Sequence, residues 1–270
     1  MFPYIDTSQW HIGHVLIRPF VILAALGTTV GYLITVQRAA RDGISRERIS
    51  QLGLWMMGVG YACSYLMALA YLPAEVADAI HHPMRLTRFS WGLSSFGGFA
   101  GGLIGAAIFF RIRRIARAER IAILDAVGFC IPFGWSFGRM GCYLVHDHPG
   151  IRTTSWLGVR YPGGTRYDLG LLEIFFLLAL AAAFALLGRK RRPPGFFTGV
   201  LFVPYGIFRL LEDRLRIDPP RYFGWTVDQI ASVAMIAFGV VALANLFRYM
   251  ISRCFRYVTS AVGSFGIGTR

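Results

Sequence analysis

Acidic residues are scarce in this chain, with 14 Asp and Glu against 28 Lys and Arg among its 270 residues. Cysteine is scarce as well, and its four positions lie in or beside apolar stretches without Cys-x-x-Cys spacing. The sequence therefore has neither the disulfide framework of a small secreted domain nor a zinc-binding pattern. Hydrophobic residues, by contrast, make up 55% of the chain, and the mean hydropathy is +0.52.

The apolar residues come in runs of about 20, which is the length a helix needs to cross a bilayer. We recognise such runs at roughly 16–36, 50–72, 91–111, 121–145, 168–187, 196–213 and 226–247. We therefore predict an all-α fold, a polytopic membrane protein with seven transmembrane helices and one integral membrane domain over 1–270. The first run is full length and no small-residue cleavage site follows it, so we expect no cleavable signal peptide.

The basic residues lie between the apolar runs rather than on one soluble surface. We interpret them as reporting topology and anionic membrane lipid, and we predict no nucleic-acid partner. The loops and tail on one side carry 17 Lys and Arg, whereas the opposite loops carry 8. The positive-inside rule then predicts a cytoplasmic C-terminus and, with seven spans, an N-terminus outside. The segments 73–90 and 146–167 would both lie on the outer face.

Two arginines stand where the flanking sequence predicts hydrocarbon. Arg139 follows "FCIPFGWSFG" in the fourth span, and Arg209 lies in "VPYGIFRLLEDRLR" at the outer end of the sixth. A charge inside a span is costly, so each is a functional hypothesis by default. The alternatives are snorkelling to the headgroup layer or pairing with Glu173, Glu212 or Asp213. The functional interpretation is that both guanidiniums hold a phospholipid phosphate, which their planar fork suits.

The third span is rich in glycine, in "GLSSFGGFAGGLIGA", which includes Gly97 and Gly98. Small residues at this spacing let another helix or a lipid approach the backbone closely. Tight helix packing and a substrate cleft are both compatible with this pattern.

A titratable cluster, His146, Asp147 and His148, follows the fourth span directly. These side chains could ligate a metal, but no further dispersed ligand is evident, and we predict no metal site and no cofactor. A histidine acting as general base or as an orienting hydrogen-bond partner suits the pattern better, because histidine titrates near neutral pH. A plain polar loop is the structural alternative.

Five segments in order carry a resemblance: "WGLSSFGGFAGG", "GRMGC" with Gly150 downstream, "YDLGLLE", "YGIFRLLEDRLRID" and "GWTVDQIAS". Together they resemble the bacterial prolipoprotein diacylglyceryl transferase family, over about residues 12 to 245. The family's seven spans and external N-terminus agree with the topology predicted above. No single motif would be specific, whereas five in the correct order are.

The resemblance implies a reaction and its partners. The family moves the diacylglyceryl group of phosphatidylglycerol to the thiol of a lipobox cysteine in a preprolipoprotein signal peptide, and glycerol phosphate leaves. We therefore expect an enzyme of lipoprotein biogenesis in the bacterial cytoplasmic (inner) membrane. Such a site needs a base for a thiol of pKa about 8.5 and positive charge on the departing phosphate. A lipid-binding or lipid-transporting protein without transferase activity, or a structural membrane protein, is the alternative.

The resemblance also implies site residues. Arg139 and Arg209 would bind the phosphate and stabilise the leaving group, with His146 or His148 as the candidate base. Gly150 would allow a close approach of lipid or loop. The predicted substrate-binding set is Gly97, Gly98, Gly138, Cys142, Asp147, Gly150, Glu173, Tyr205, Asp213, Arg216 and Gln229.

The sequence departs from the family pattern at several positions that could carry a proton. Phe20 stands where the family has a tyrosine, and Phe96 stands where it often has a histidine before the paired glycines. The histidine expected at the entry to the fifth span falls on Arg166 or Tyr167, and Cys142 replaces a common asparagine. The carboxylate after the second arginine is an aspartate rather than a glutamate. Either His146, His148 or Tyr205 has then taken over as base, or the chain binds lipid without this chemistry.

Overall fold

The computed structural model describes residues 1–5, 7, 10–12, 15–68, 94–217 and 219–265. Within them the chain is mostly helical, which confirms the predicted all-α polytopic class. The helices are α1 (Pro19–Ala40), α2 (Arg46–Ala68), α3 (Ser95–Ile112), α4 (Arg117–Val145), α5 (Leu169–Leu187), α6 (Phe196–Glu212) and α7 (Val227–Phe265).

Most predicted spans coincide with a helix to within a few residues. Of the described helices, α1, α4, α5 and the Val227–Ser252 part of α7 are long and apolar enough to cross a membrane on their own. The shorter Phe96–Ile112 helix is also apolar. The prediction of seven spans therefore stays a prediction. The segment 73–90 lies outside the described residues.

Helix α7 continues to Phe265, well beyond the predicted end of the last span at 247. The predicted span ends just before Arg248, the first basic residue after the apolar run. A helix can nevertheless continue beyond the membrane surface, because its backbone hydrogen bonds are made within the helix itself.

The connection 146–167, predicted above as an outer loop, contains a small sheet. Its strands are β4 (Pro149–Arg152), β5 (Val159–Tyr161) and β6 (Gly164–Asp168), and β1 (Phe2–Pro3) adds to them in the order β1-β5-β6-β4. Strands β5 and β6 form an antiparallel hairpin, and β1 pairs in parallel with β5. Two short antiparallel pairs complete the strands: β2 (Trp10–Ile12) with β3 (Val15–Ile17), and β7 (Arg221–Tyr222) with β8 (Trp225–Thr226). The sheet closes over the end of the bundle where α4 ends and α5 begins.

The helices pack mainly in pairs, α1 with α4, α2 with α3 and α6 with α7, and α4 also packs on α5 and α6. Glycines set the closest approach of α2 and α3. A Cβ on Gly97 would lie 2.6 Å from the Cys63 carbonyl oxygen, and one on Gly101 would lie 2.6 Å from the Val59 oxygen. The glycine-rich pattern of the third span is therefore explained by helix packing at these positions.

This packing predicts opposite effects for two neighbouring glycines of α3. Gly101→Ala is expected to destabilise the protein by about 1–3 kcal/mol, because the added methyl overpacks against α2. Gly102→Ala is the matched control, since its Cβ would meet only the flexible end of Met56 at 3.6 Å. It is expected to be neutral or to stabilise by up to about 1 kcal/mol through helix propensity. Thermal unfolding in detergent measures both, and equal midpoints would contradict the packing explanation.

Candidate functional site

The two intramembrane arginines meet at one carboxylate. Arg139 of α4 contacts Oε2 of Glu173 of α5 through Nε at 2.8 Å. Arg209 of α6 contacts the same oxygen through Nη1 at 3.1 Å. All three residues are buried, with exposed fractions of 3%, 4% and 0%. The arginines therefore face one another across a shared anion rather than opposite sides of the bundle, and pairing with Glu173, one of the alternatives above, is realised.

Glu173 is held from its other oxygen as well. Its Oε1 accepts hydrogen bonds from the Tyr205 hydroxyl at 2.6 Å and from the Trp135 indole at 3.1 Å. A buried carboxylate with two guanidiniums and two neutral donors is well compensated for the loss of water. Tyr205, predicted as a substrate-binding residue, thus lies in the cluster as a donor to Glu173.

More carboxylates gather on the α6–α7 side of the cluster. Arg209 pairs with Glu212 on the next turn of α6, and its Nη2 lies 3.6 Å from Oδ1 of Asp228. Arg216 contacts Oδ2 of Asp228 through Nη2 at 2.8 Å, and its Nε lies 3.8 Å from Oδ1 of Asp213. The positive charge of Arg209 and Arg216 is therefore balanced largely by this side of the site.

Aromatic rings of α3 and α4 cover the guanidiniums. The Arg209 Cζ atom lies 5.1 Å from the centre of the Phe96 ring, and the Arg139 Cζ lies 5.5 Å from that of Trp135. Phe99 packs against Trp135 at 4.9 Å between ring centroids. Phe96, at the position of the family's histidine, thus makes a cation–π contact with Arg209.

The C-terminal end of α4 places three further predicted residues near Arg139. The Arg139 Nη1 lies 3.8 Å from the Cys142 sulfur. The donor atoms of Cys142, Asp147 and His148 lie within 4.8 Å of one another. Cys142 is thus the dispersed third donor that the sequence analysis did not find. The adjacent guanidinium opposes a cation at this position, so the arrangement suits proton transfer better than metal binding.

Asp147 and His148 both have shifted pKa values. Partial loss of hydration raises the pKa of the half-exposed Asp147 carboxyl to about 6, and the charge of Arg139 partly offsets this shift. Partial burial together with the charges of Arg139, Arg216 and Arg209 lowers the pKa of His148 to about 3. His148 is therefore neutral near neutral pH, and Asp147 is the group that titrates close to it.

His146, the other predicted base, lies in a separate aromatic cluster. Its Nδ1 is 2.8 Å from Oδ2 of Asp168, and its ring stacks on Tyr4 at 4.2 Å between centroids. The Tyr161 hydroxyl donates to the same Asp168 oxygen at 2.6 Å, which together with burial raises the pKa of Tyr161. Asp168 also caps α5 by accepting from the Leu171 amide. These contacts give His146 a structural role that holds the sheet to the bundle.

Gln229 also has a structural explanation. Its Oε1 accepts from the Thr226 amide at 3.3 Å, and its own amide donates to the Thr226 hydroxyl at 3.0 Å. This reciprocal pair is a capping box at the start of α7. The Thr226 hydroxyl in turn donates to Asp213 Oδ2 at 2.8 Å, so the cap joins the carboxylate cluster.

The predicted glycines divide between packing and open positions. Gly150 forms an isolated antiparallel β-bridge with Arg216 through the backbone. A Cβ on Gly150 would lie 2.9 Å from the Leu215 carbonyl oxygen. Gly138, next to Arg139, would meet nothing within 4 Å, and a Cβ on Gly98 would make only ordinary contacts. Gly150 thus allows the sheet to approach the end of α6, whereas Gly138 borders open space.

Phe20 and Tyr167, two of the departures from the family pattern, pack against glycines of α4 and β4. Phe20 packs against Gly141 of α4, where an added Cβ would lie 2.8 Å from its ring. Tyr167 lies in β6, with its carbonyl oxygen near Gly150. Neither residue reaches the Glu173 oxygens through a described hydrogen bond.

Sequence reasoning missed several members of the site. They are Trp135, Glu212 and Asp228 in the ion cluster, Phe99 packed against Trp135, and Asp168 at the end of β6. Glu212 was named only as a possible partner of an arginine. Its spacing of three from Arg209 was an available signal, because residues three apart lie on one face of a helix. Asp228 and Asp168 stand just before or within the first turn of an apolar run, where an acidic residue also marks a helix start.

The fold and the site together define a polytopic membrane protein with a buried arginine–carboxylate centre at the end of its helix bundle that carries the β4–β6 sheet. Comparison with known proteins specifies the family. The family model described as prolipoprotein diacylglyceryl transferase matches residues 8–245. The chain belongs to this family, as its motifs predicted.

Its curated relatives include proteins named phosphatidylglycerol–prolipoprotein diacylglyceryl transferase. One from Francisella tularensis subsp. holarctica (strain FTNF002-00 / FTA) is 30% identical over 267 residues, covering 91% of this chain and 95% of the relative. Another from subsp. novicida (strain U112) has the same identity and coverage. One from subsp. mediasiatica (strain FSC147) is 29% identical over the same shares.

Proposed function

We propose that this protein transfers the diacylglyceryl group of phosphatidylglycerol to the cysteine thiol of a prolipoprotein lipobox. Family membership and the names of the relatives support the activity. The structural observation that carries it is the meeting of Arg139 and Arg209 on one oxygen of Glu173. Two permanent cations at one buried point match a reaction in which a phosphate ester leaves.

The reaction is a substitution at carbon. The acceptor's thiolate sulfur bonds to the glycerol carbon that carries the phosphate, and the bond from that carbon to the phosphate oxygen breaks. The departing glycerol phosphate takes the bonding electron pair, and the thiol proton passes to a base. The protein must therefore supply positive charge for the phosphate, a proton acceptor, and alignment of sulfur with carbon.

Arg139 is the group that we assign to the phosphate. Its Nε contacts Glu173, and its Nη1 lies 3.8 Å from the sulfur of Cys142, which is itself close to Asp147 and His148. Arg209 is surrounded by carboxylates of α6 and α7. We assign Arg209 the role of a positioning residue that fixes Glu173 and, through it, Arg139.

Asp147 is the group that we assign as the proton acceptor. Its side chain lies next to Cys142 and His148 at the mouth of the site, and it is 45% exposed, so an acceptor peptide can reach it. A base works best when its pKa is near the working pH, which favours Asp147 at about 6 over His148 at about 3. The Nε2 atom of His148 lies 3.6 Å from Oδ1 of Asp147.

This assignment predicts the pH dependence of the transfer. A base must be deprotonated to act, so kcat/KM is expected to fall about tenfold per pH unit below about 6, the pKa of Asp147. Asp147→Asn is expected to lower kcat/KM by about 10²–10⁴-fold and to remove that acidic limb. Glu47→Gln, at an exposed position in the first turn of α2, is the matched control and should retain the wild-type profile. An unchanged acidic limb in Asp147→Asn would show that another group, not Asp147, acts as the base.

The activity itself is tested with purified protein, phosphatidylglycerol bearing a labelled glycerol backbone, and a synthetic lipobox peptide. Mass spectrometry is expected to show the peptide heavier by one diacylglyceryl group, with equimolar glycerol phosphate released. Replacing the peptide cysteine by serine is the matched control and should give no product. Retention of phosphatidylglycerol without any thioether product would instead favour the alternative, a lipid-binding or lipid-transporting protein.

We further propose that the whole chain forms one domain of seven spans in the bacterial inner membrane. The bias of basic residues toward one set of loops supports an external N-terminus and a cytoplasmic C-terminus. In this orientation the Glu173 site and the sheet lie near the outer leaflet, where a lipobox cysteine emerges. Labelling of single cysteines from outside spheroplasts tests this orientation. Labelling at the 189–192 loop rather than at the sheet would show that the orientation is the reverse.

A further inference from the structure

A second concentration of positive charge lies at the opposite end of the bundle from Glu173. A cavity of about 220 Å³ opens there among the ends of α1 and α5 and the side of α4. It is lined by Ile34, Gln37, Arg38, Arg41, Phe129, Ala185, Gly188 and Arg189. Along α5, Glu173 and Leu187 are 14 residues apart, which is about 21 Å at 1.5 Å per residue, and Arg189 follows two residues later.

The Arg38 guanidinium of this cavity is held in place. The Cζ of Arg38 lies 3.9 Å from the centre of the Phe129 ring and 4.3 Å from that of Phe197. Arg191 donates from Nη2 to the Arg41 carbonyl oxygen at 3.3 Å, which ties the loop after α5 to the end of α1. Arg38 is thus oriented by two aromatic faces rather than left to rotate in solvent.

The lining is suited to a charged group with an apolar attachment. Three arginines contribute to it, and no carboxylate does so among the described residues. Ile34, Ala185 and the Phe129 ring form the apolar part of the wall. The volume lies below the roughly 300–1,000 Å³ of pockets that enclose a whole drug-sized ligand, so it fits a headgroup better than a complete lipid.

We propose that this arginine pocket binds the phosphate of an anionic phospholipid of the cytoplasmic leaflet, at a site separate from the Glu173 centre. Arg38, Arg41 and Arg189 supply planar donors for the phosphate oxygens. The acyl chains lie outside, in the gap between α1 and α5, both of which pack on α4. Basic pockets between transmembrane helices at the cytoplasmic surface commonly recognise such headgroups.

The test uses the delipidated full-length protein in a neutral detergent, titrated with dioleoyl phosphatidic acid and followed by native mass spectrometry. The wild type is expected to retain one lipid more than the Arg38→Gln/Arg189→Gln variant, or to bind that lipid at least tenfold more tightly. The matched control is Arg113→Gln/Arg117→Gln, which removes two exposed arginines elsewhere on the same set of loops. It should bind as the wild type does.

Further arms separate the possible sources of the signal. Dioleoyl phosphatidylcholine is expected to show no difference between wild type and pocket variant, because it carries no net charge. Binding of inorganic phosphate alone in the arginine pocket would identify a free-anion site and overturn the lipid proposal. Equal retention of phosphatidic acid by the pocket variant and the control variant would also overturn it. Lipid-free thermal midpoints within about 2 °C of the wild type establish that both variants are folded.

Discussion

Arg139→Ala is expected to lose at least 10²–10³-fold in kcat/KM for transfer to a lipobox peptide, because removal of one preorganised donor to a developing anion costs about that much. The effect is expected mainly in kcat, since the negative charge on the leaving phosphate increases in the transition state. Product formation per folded molecule, followed by mass spectrometry, is the measurement.

Two control variants separate charge, shape and general loss of a cation. Arg139→Lys keeps the charge but lacks the planar fork, so it should recover only part of the rate. Arg111→Ala, at an exposed position near the end of α3, should leave transfer unchanged. Wild-type turnover in Arg139→Ala would refute the assignment of Arg139 to the phosphate.

Glu173→Ala is expected to destabilise the protein by about 3–5 kcal/mol, because it leaves Arg139 and Arg209 without the carboxylate they share in a buried site. It also removes the acceptor for the Tyr205 hydroxyl and the Trp135 indole. The measurement is the midpoint of thermal unfolding in detergent, compared with the wild type.

Glu173→Gln refines the interpretation. The amide oxygen can still accept from Tyr205, so this variant should unfold between wild type and Glu173→Ala, yet its arginines lose their common anion. We expect the transfer rate of Glu173→Gln to be as low as that of Glu173→Ala. A low rate in the more stable variant would separate alignment of the arginines from stability. Glu47→Ala, in the exposed first turn of α2, is the matched control and should change the midpoint little. A fully active, fully stable Glu173→Ala would contradict both roles.

The parts of the fold that follow from local sequence were predictable. An apolar run of about 20 residues predicts a helix wherever it lies, and the described helices coincide with those runs. The small sheet was not predicted, because its strands of two to five residues carry no clear alternation and some pair across a long separation, as Phe2 does with Val159. Only the tertiary structure brings those segments together.

The candidate site divides in the same way. An arginine inside an apolar run is conspicuous in one dimension, so Arg139 and Arg209 were found directly. Their shared partner was one of three candidates, since sequence spacing cannot tell which carboxylate of another helix will face them. Likewise, the sequence "HDH" does not indicate which of its three side chains lies in the candidate site. His146 turns into an aromatic cluster because it takes a left-handed conformation at the end of α4, with φ of 49°, while Asp147 and His148 stay beside Cys142.

The most direct test of the account is a double-mutant cycle on kcat/KM with Arg139→Gln, Arg209→Gln and both together, each rate normalised to folded protein. If Arg209 acts by fixing Glu173 and Arg139, its loss matters little once Arg139 is gone. The double variant should then lie within about threefold of Arg139→Gln alone. Losses that multiply, as for independent sites, would contradict the central claim that the two arginines work as one unit through Glu173.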